Sequence, residues 1–155
     1  MKKRRGGKIG IVIVFLVAVA AFVGMMLYQP KPPDLPVVEA TINGATFHLY
    51  APTTPHDKEV GLAAYSSIKP DQGMIFRGLP EGVQTFWMKN MKFDIDIIWV
   101  NRDNQIVHIV YAVSKDSYPK RFENPIDRPA TYTIELPSGA CDSHGIAPGA
   151  IVTVR

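Results

Sequence analysis

Cysteine is almost missing from this chain: Cys141 is the only one in 155 residues. No internal disulfide can form, so stability must come from an apolar core. No cysteine ends the apolar N-terminal run, which excludes lipoprotein processing. The chain also lacks a Gly-rich phosphate loop, a Cys-x-x-Cys pair, a His-Glu-x-x-His and a Gly-x-Ser-x-Gly. The usual sequence marks of nucleotide, dithiol, zinc-protease and serine-hydrolase chemistry are therefore absent. His48, His56, His108 and His144 are scattered, and none falls into metal-ligand spacing. No cofactor and no metal are expected. Cys141 and His144 are three residues apart, but no Cys-hydrolase context surrounds them, and Cys141 reads as a small semi-buried side chain near a loop.

What is present begins at the N-terminus. Ile9 to Tyr28 are 20 residues without a charge, preceded by Lys2, Lys3, Arg4, Arg5 and Lys8. As a helix they would be roughly 30 Å long, the thickness of a bilayer's hydrocarbon core. The apolar core of a cleaved signal peptide is shorter, so the run reads as an uncleaved, single-pass anchor. The basic flank (1–8) stays cytoplasmic and the rest faces outward. The bilayer is then one partner. Of 17 Lys+Arg and 14 Asp+Glu, five basic residues lie in this tail, leaving 12 − 14 = −2 for the remainder. The basic pI belongs to the tail, and nucleic acid is not expected as a partner.

Residues 29–36, Gln-Pro-Lys-Pro-Pro-Asp-Leu-Pro, form a stiff linker. The domain proper is expected over 37–155. Val37–Ile42 and Ala45–Tyr50 flank Asn43-Gly44, a strong hairpin signal. Thr54 can cap a short helix over 55–64, with Pro55 at its first position, and Gly61 inside it suggests close packing. From there the pattern is β: Gly73–Phe76, Gln84–Met88, Asp96–Asn101, Gln105–Tyr111, Ala130–Leu136 and Ala150–Arg155 read as strands. Ala112–Ile126 reads as irregular. The expected fold is mainly β, a small sandwich or barrel with one short helix, plus the single N-terminal transmembrane helix.

The unusual stretch is Phe86 to Asp96, where aromatic residues and methionines stand beside Lys89 and Asn90. It reads either as a core strand entering a loop or as a pocket wall with Trp87 as a flat surface. Asp96 shares a face with Ile98 and Val100, where a carboxylate is costly unless paired. Lys89 is its expected partner, and Glu135 is a second acid. Such a pair can be structural or can transfer protons in a cleft. Met74, Met88 and Met91 could hold Cu(I) through thioethers, although methionine more often fills gaps in cores.

Six motifs occur in order: Glu59-Val-Gly-Leu62, Gly73-Met-Ile-Phe76, Phe86-Trp-Met-Lys-Asn90, Asp94-Ile-Asp-Ile-Ile98, Ile134-Glu-Leu-Pro-Ser-Gly139 and Gly145-Ile-Ala-Pro-Gly149. Together they resemble the DUF192 family, also written UPF0127, over Val38 to Arg155. The resemblance implies a compact, mostly β domain, often exported or membrane-anchored, and carries no established activity. Glu59, Lys89, Asp96 and Glu135 match the family's polar motif positions. Met91 stands where the family often has Thr, Asp94-Ile95 where it often has Pro-Leu, and Ala63 where it often has Met. Asp94 would make a pocket there more acidic.

The functional expectation is a membrane-anchored extracytoplasmic binding or accessory module. It would hold an unidentified ligand in a pocket built from Met74, Trp87, Met88, Lys89, Asn90, Asp96 and Glu135, or dock on another envelope protein. The alternative is a small enzyme using Lys89 with Asp96 or Glu135 for acid–base chemistry. Copper handling is the lesser alternative. No nucleophile, metal set or cofactor motif favours catalysis.

Overall fold

The computed structural model describes residues 32–155 and six helical, solvent-exposed positions before them: Phe15, Ala18, Val19, Phe22, Val23 and Met26. The chain divides into two units, Met1–Lys31 and Pro32–Arg155. The expected basic tail, the first linker residues and all but those six positions of the expected spanning segment lie outside the described residues. Among the described residues, no helix is long and apolar enough to cross a membrane.

The second unit is mainly β. Its strands are β1 (Val37–Ile42), β2 (Ala45–Tyr50), β3 (Gln72–Phe76), β4 (Thr85–Trp87), β5 (Ile95–Val100), β6 (Ile106–Val113), β7 (Arg121–Glu123), β8 (Tyr132–Pro137) and β9 (Val152–Val154). The helices are α1 (Pro55–Val60), continued by a 3-10 turn over Gly61–Ala64, and the short α2 (Ala140–Ser143). Seven strands form one curled sheet in the order β6-β5-β8-β3-β2-β1-β9, and β4 pairs with β7 apart from it. The ends of the curl meet. Gln105 bridges Ile151, the Ile106 amide donates to the Ala150 carbonyl (2.9 Å), and the Val152 amide donates to the Asn104 carbonyl (2.8 Å). Edge hydrogen-bonding groups that would invite aggregation are thereby paired.

Local chemistry accounts for the first elements. Asn43 and Gly44 both take positive φ (48° and 82°), as the tight hairpin turn requires. Strands β2 and β3 run parallel, so a crossover must join them, and α1 with its 3-10 turn lies in that connection. Thr54 caps α1 by accepting from the Asp57 amide (3.1 Å). Gly61, with φ of 55°, ends α1, and a Cβ there would lie 3.5 Å from the Phe76 ring.

The sheet carries a core on each face, because strand side chains alternate. Inside the curl lie Phe47, Leu49, Ile75, Ile98, Val100, Ile134 and Leu136. Outside it lie Met74, Phe76, Ile97, Trp99 and Met88, with Leu62 of the 3-10 turn. All six residues of β5 are buried, as expected of a strand apolar on both faces.

Several features depart from the sequence reading: the expected 55–64 helix is α-helical only over Pro55–Val60, and a second short helix, α2, forms over Ala140–Ser143. Arg121–Glu123, inside the stretch expected to be irregular, forms β7 and pairs with β4. The chain also packs on the domain before residue 37. Leu35 rests against the outer core, and the Pro36 carbonyl accepts from the Ala51 amide (2.8 Å).

A buried polar network holds the β4–β7 strand pair in place. The Gln84 amide donates to Asn124 Oδ1 (2.8 Å), Trp99 Nε1 donates to the Gln84 carbonyl (2.9 Å), and the Thr133 hydroxyl donates to Gln84 Oε1 (2.7 Å). Asn124 Nδ2 donates to the Arg128 carbonyl (2.7 Å) and the Gly82 carbonyl (3.0 Å). Paired this fully, buried polar groups fix geometry without a desolvation penalty left over.

Candidate functional site

Glu135 lies in the middle of the sheet. It sits on β8 between Met74 of β3 and Ile97 of β5, both fully buried. Tyr132, Ile134 and Leu136 point into the inner core, so alternation turns Glu135 to the outer face. The residue is 5% exposed. Among the described residues it has no ion pair and no side-chain hydrogen bond. Burial in this apolar setting pushes its carboxyl up to about 8, because desolvation disfavours the charged form.

The carboxyl borders a cavity of about 290 Å³. Phe76 from β3, Phe86 and Trp87 from β4, Leu62 from the 3-10 turn, and Leu79 and Met91 from loops form its apolar walls. Phe86 meets Phe76 edge-on (5.0 Å between centroids) and Trp99 likewise (6.2 Å), which fixes the wall. Arg121 of β7 lies over the Trp87 ring, 5.1 Å from its centroid. Lys58, Glu59 and Lys89 supply the charge. Lys58 Nζ donates to the Arg77 carbonyl (2.6 Å). Lys89 is exposed and has no ion-pair partner among the described residues.

Trp87, Lys89 and Glu135 thus line one pocket, as the sequence suggested, and Asp96 does not join them. Asp96 is paired with Leu136 across β5 and β8 and faces inward with Ile98 and Val100. There it accepts from the amides of Ala112 (2.8 Å) and Cys141 (3.0 Å). Backbone donors, not Lys89, satisfy it. The expected Lys89–Asp96 pair is therefore corrected: a one-residue offset puts Asp96 and Glu135 on opposite faces. Asp94 is exposed, accepts from the Lys115 amide (2.8 Å) and adds no acid to the pocket.

The remaining expected site residues divide. Met74 and Met88 are sealed in the outer core, while Met91 reaches the cavity. Asn90 is exposed with φ of 61° and borders a smaller neighbouring hollow with His56, Glu59 and Lys89. Among the described residues, no group of three or more His, Cys, Asp or Glu is placed to hold a metal. Cys141 is fully buried, and burial and Asp96 push its thiol up, which suits an inert core residue. His144 is exposed, its ring 5.5 Å edge-on from Phe47.

Sequence reasoning missed Phe76, Leu62, Leu79 and Lys58 as lining residues. A signal for two of them existed: Glu59-Val-Gly-Leu62 and Gly73-Met-Ile-Phe76, singled out as separate motifs, end at the same cavity.

The fold is similar to two solved structures. One is a candidate transcription regulator from Sinorhizobium meliloti 1021, with a TM-score of 0.69, 23% identity, and coverage of 79% of this chain and 96% of that one. The other is a protein of unknown function from Novosphingobium aromaticivorans DSM 12444, with a TM-score of 0.70, 25% identity, and coverage of 82% and 94%. Among curated proteins none matches the chain. The model of DUF192, described as an uncharacterized ACR, matches residues 38–154. That stretch takes in both faces of the curled sheet and every residue lining the cavity, and on it the chain belongs to the DUF192 family.

Proposed function

We propose that this chain is a binding module that holds a small ligand in the cavity between Trp87 and Glu135. One observation carries the reading: Glu135, a residue 5% exposed and without a side-chain partner among the described residues, turns its carboxyl to an apolar cavity of about 290 Å³, which leaves the oxygens reachable. A buried polar group left without a partner costs free energy, and a ligand can supply the missing partner. The aromatic walls and few polar groups match the usual composition of small-molecule sites. The uncharged run of 20 residues behind five basic ones supports placing this module at the outer surface of the cell membrane.

Native mass spectrometry of the full chain, purified gently from its own cells, tests the proposal. A reproducible added mass, lost in a Val60→Trp variant that plugs the cavity mouth, is the expected result. A bare chain mass in the wild type overturns it and moves the function to docking on another envelope protein.

A second reading is acid–base catalysis by Glu135. Its carboxyl, raised to about 8, can hold and release a proton near neutral pH. Lys89 at the mouth would then orient a polar substrate.

A further inference from the structure

The floor and the walls of the cavity ask for different things. Glu135 at the floor has no side-chain partner among the described residues, and its carboxylate form calls for a cation or a hydrogen-bond donor. Its neighbours on the sheet, Met74 and Ile97, are apolar and fully buried. The walls offer three aromatic rings, Phe76, Phe86 and Trp87, whose faces carry partial negative charge. The cations belong to the rim: Lys58 is tied to the Arg77 carbonyl at 2.6 Å, and Lys89 is exposed.

We propose that the ligand is a small organic ammonium ion with an apolar body. Its cationic head pairs with Glu135 at the floor, and its body lies among Phe76, Phe86 and Trp87. The inference rests on the binding reading above and names the ligand's class. An anionic head at the floor could take a hydrogen bond only from protonated Glu135 and would be repelled by its carboxylate once the proton is lost. An anionic head at the mouth could reach Lys89 but would leave Glu135 buried without a partner. An ammonium ion satisfies the floor and the rings together.

Pairing would be coupled to a proton. Glu135 sits near pH 8 without a ligand, so at neutral pH the cation must displace its proton. The other charged groups lining the cavity are Lys58 and Glu59 from α1 and Lys89 from the turn after β4. Beside Glu135 on the sheet stand Met74 of β3 and Ile97 of β5, and Phe76 and Leu62 line the same cavity; none of the four titrates.

Isothermal titration calorimetry on the full chain in a non-ionic detergent tests this with four probes that share a phenylethyl body and differ in the head. They are 2-phenylethylamine, its trimethylammonium analogue, 2-phenylethanol and 3-phenylpropanoate. Both cations should bind more tightly than the alcohol and the carboxylate. Affinity for the trimethylammonium probe, which does not itself titrate, should rise about tenfold from pH 6 to pH 7 and level off above about pH 8. Glu135→Gln should weaken that probe at least tenfold at pH 8 and flatten its pH profile. Alcohol or carboxylate binding as tight as the cations, or a Glu135→Gln variant with the wild-type profile, overturns the ammonium assignment while the cavity remains a binding site. Heats for all four probes that match those of Val60→Trp overturn the binding reading itself.

Discussion

Replacing Glu135 by Gln should stabilise the free protein at alkaline pH, the reverse of what losing an acid from a salt bridge does. The folded-state carboxyl titrates at about 8 against an ordinary 4.5. Between those values the native state binds a proton that the unfolded chain has released, so stability must fall as pH rises. The sign follows from burial: the neutral acid is tolerated between Met74 and Ile97, and the carboxylate is not. Each pH unit within that window removes up to about 1.4 kcal/mol. From pH 5 to pH 8 the wild type should therefore lose about 3–4 kcal/mol that Glu135→Gln keeps, since glutamine has the same shape and no charge. Urea unfolding of both proteins in one non-ionic detergent, followed by tryptophan fluorescence, measures the difference. The two stability curves should agree near pH 5 and separate steadily to pH 8. Parallel curves would refute the reasoning, because they would mean that water or Lys89 already compensates the carboxylate in the folded state.

Three further outcomes follow from packing and hydrogen bonding. Gly73→Ala should leave little folded protein at 37 °C by circular dichroism, because its Cβ would collide with the Glu135 carbonyl oxygen and press on Leu136 and Leu49 at 2.8 and 2.9 Å; overpacking alone costs about 1–3 kcal/mol, and a backbone clash more. Asp96→Ala should cost about 3 kcal/mol or more in urea unfolding, since the amides of Ala112 and Cys141 both donate to that carboxylate and charge-assisted bonds contribute about 1.5–3 kcal/mol each. Asn124→Ala should loosen the β4–β7 strand pair, with faster hydrogen exchange at Gln84 and its neighbours and a loss of about 2 kcal/mol, as Asn124 joins Gln84, Gly82 and Arg128.

Much of the domain could be read along the chain. The β1–β2 hairpin follows from Asn43-Gly44, and its register runs from Ile42 opposite Ala45 outward as a two-residue turn dictates. The helix start at Thr54-Pro55 and the two-sided burial of β5 were visible as local chemistry and as hydrophobic pattern. What escaped was short or non-local. Arg121-Phe-Glu123 has one apolar residue between two charged ones and becomes a strand only by pairing with Thr85–Trp87. The 3-10 continuation after Val60 depends on Gly61 adopting positive φ beneath Phe76. Family motifs pointed to Glu59, Lys89, Asp96 and Glu135 alike, and three of these four line the cavity.

Asp96 shows where reading along the chain stops. Its alternation placed it with Ile98 and Val100, and the structure agrees. Alternation within one strand cannot say which residue of another strand lies beside it. Here Asp96 faces Leu136 and Ile97 faces Glu135, and a register shifted by one would have put both acids on one face. The sequence by itself determined turns, strand faces and an apolar N-terminal run, because each depends on neighbours a few residues away. Only the tertiary structure decided that Glu135 stands at the floor of an aromatic cavity without a side-chain partner among the described residues. That follows from strand order and register between segments far apart in the chain, which pairing of the whole sheet sets and no local pattern encodes.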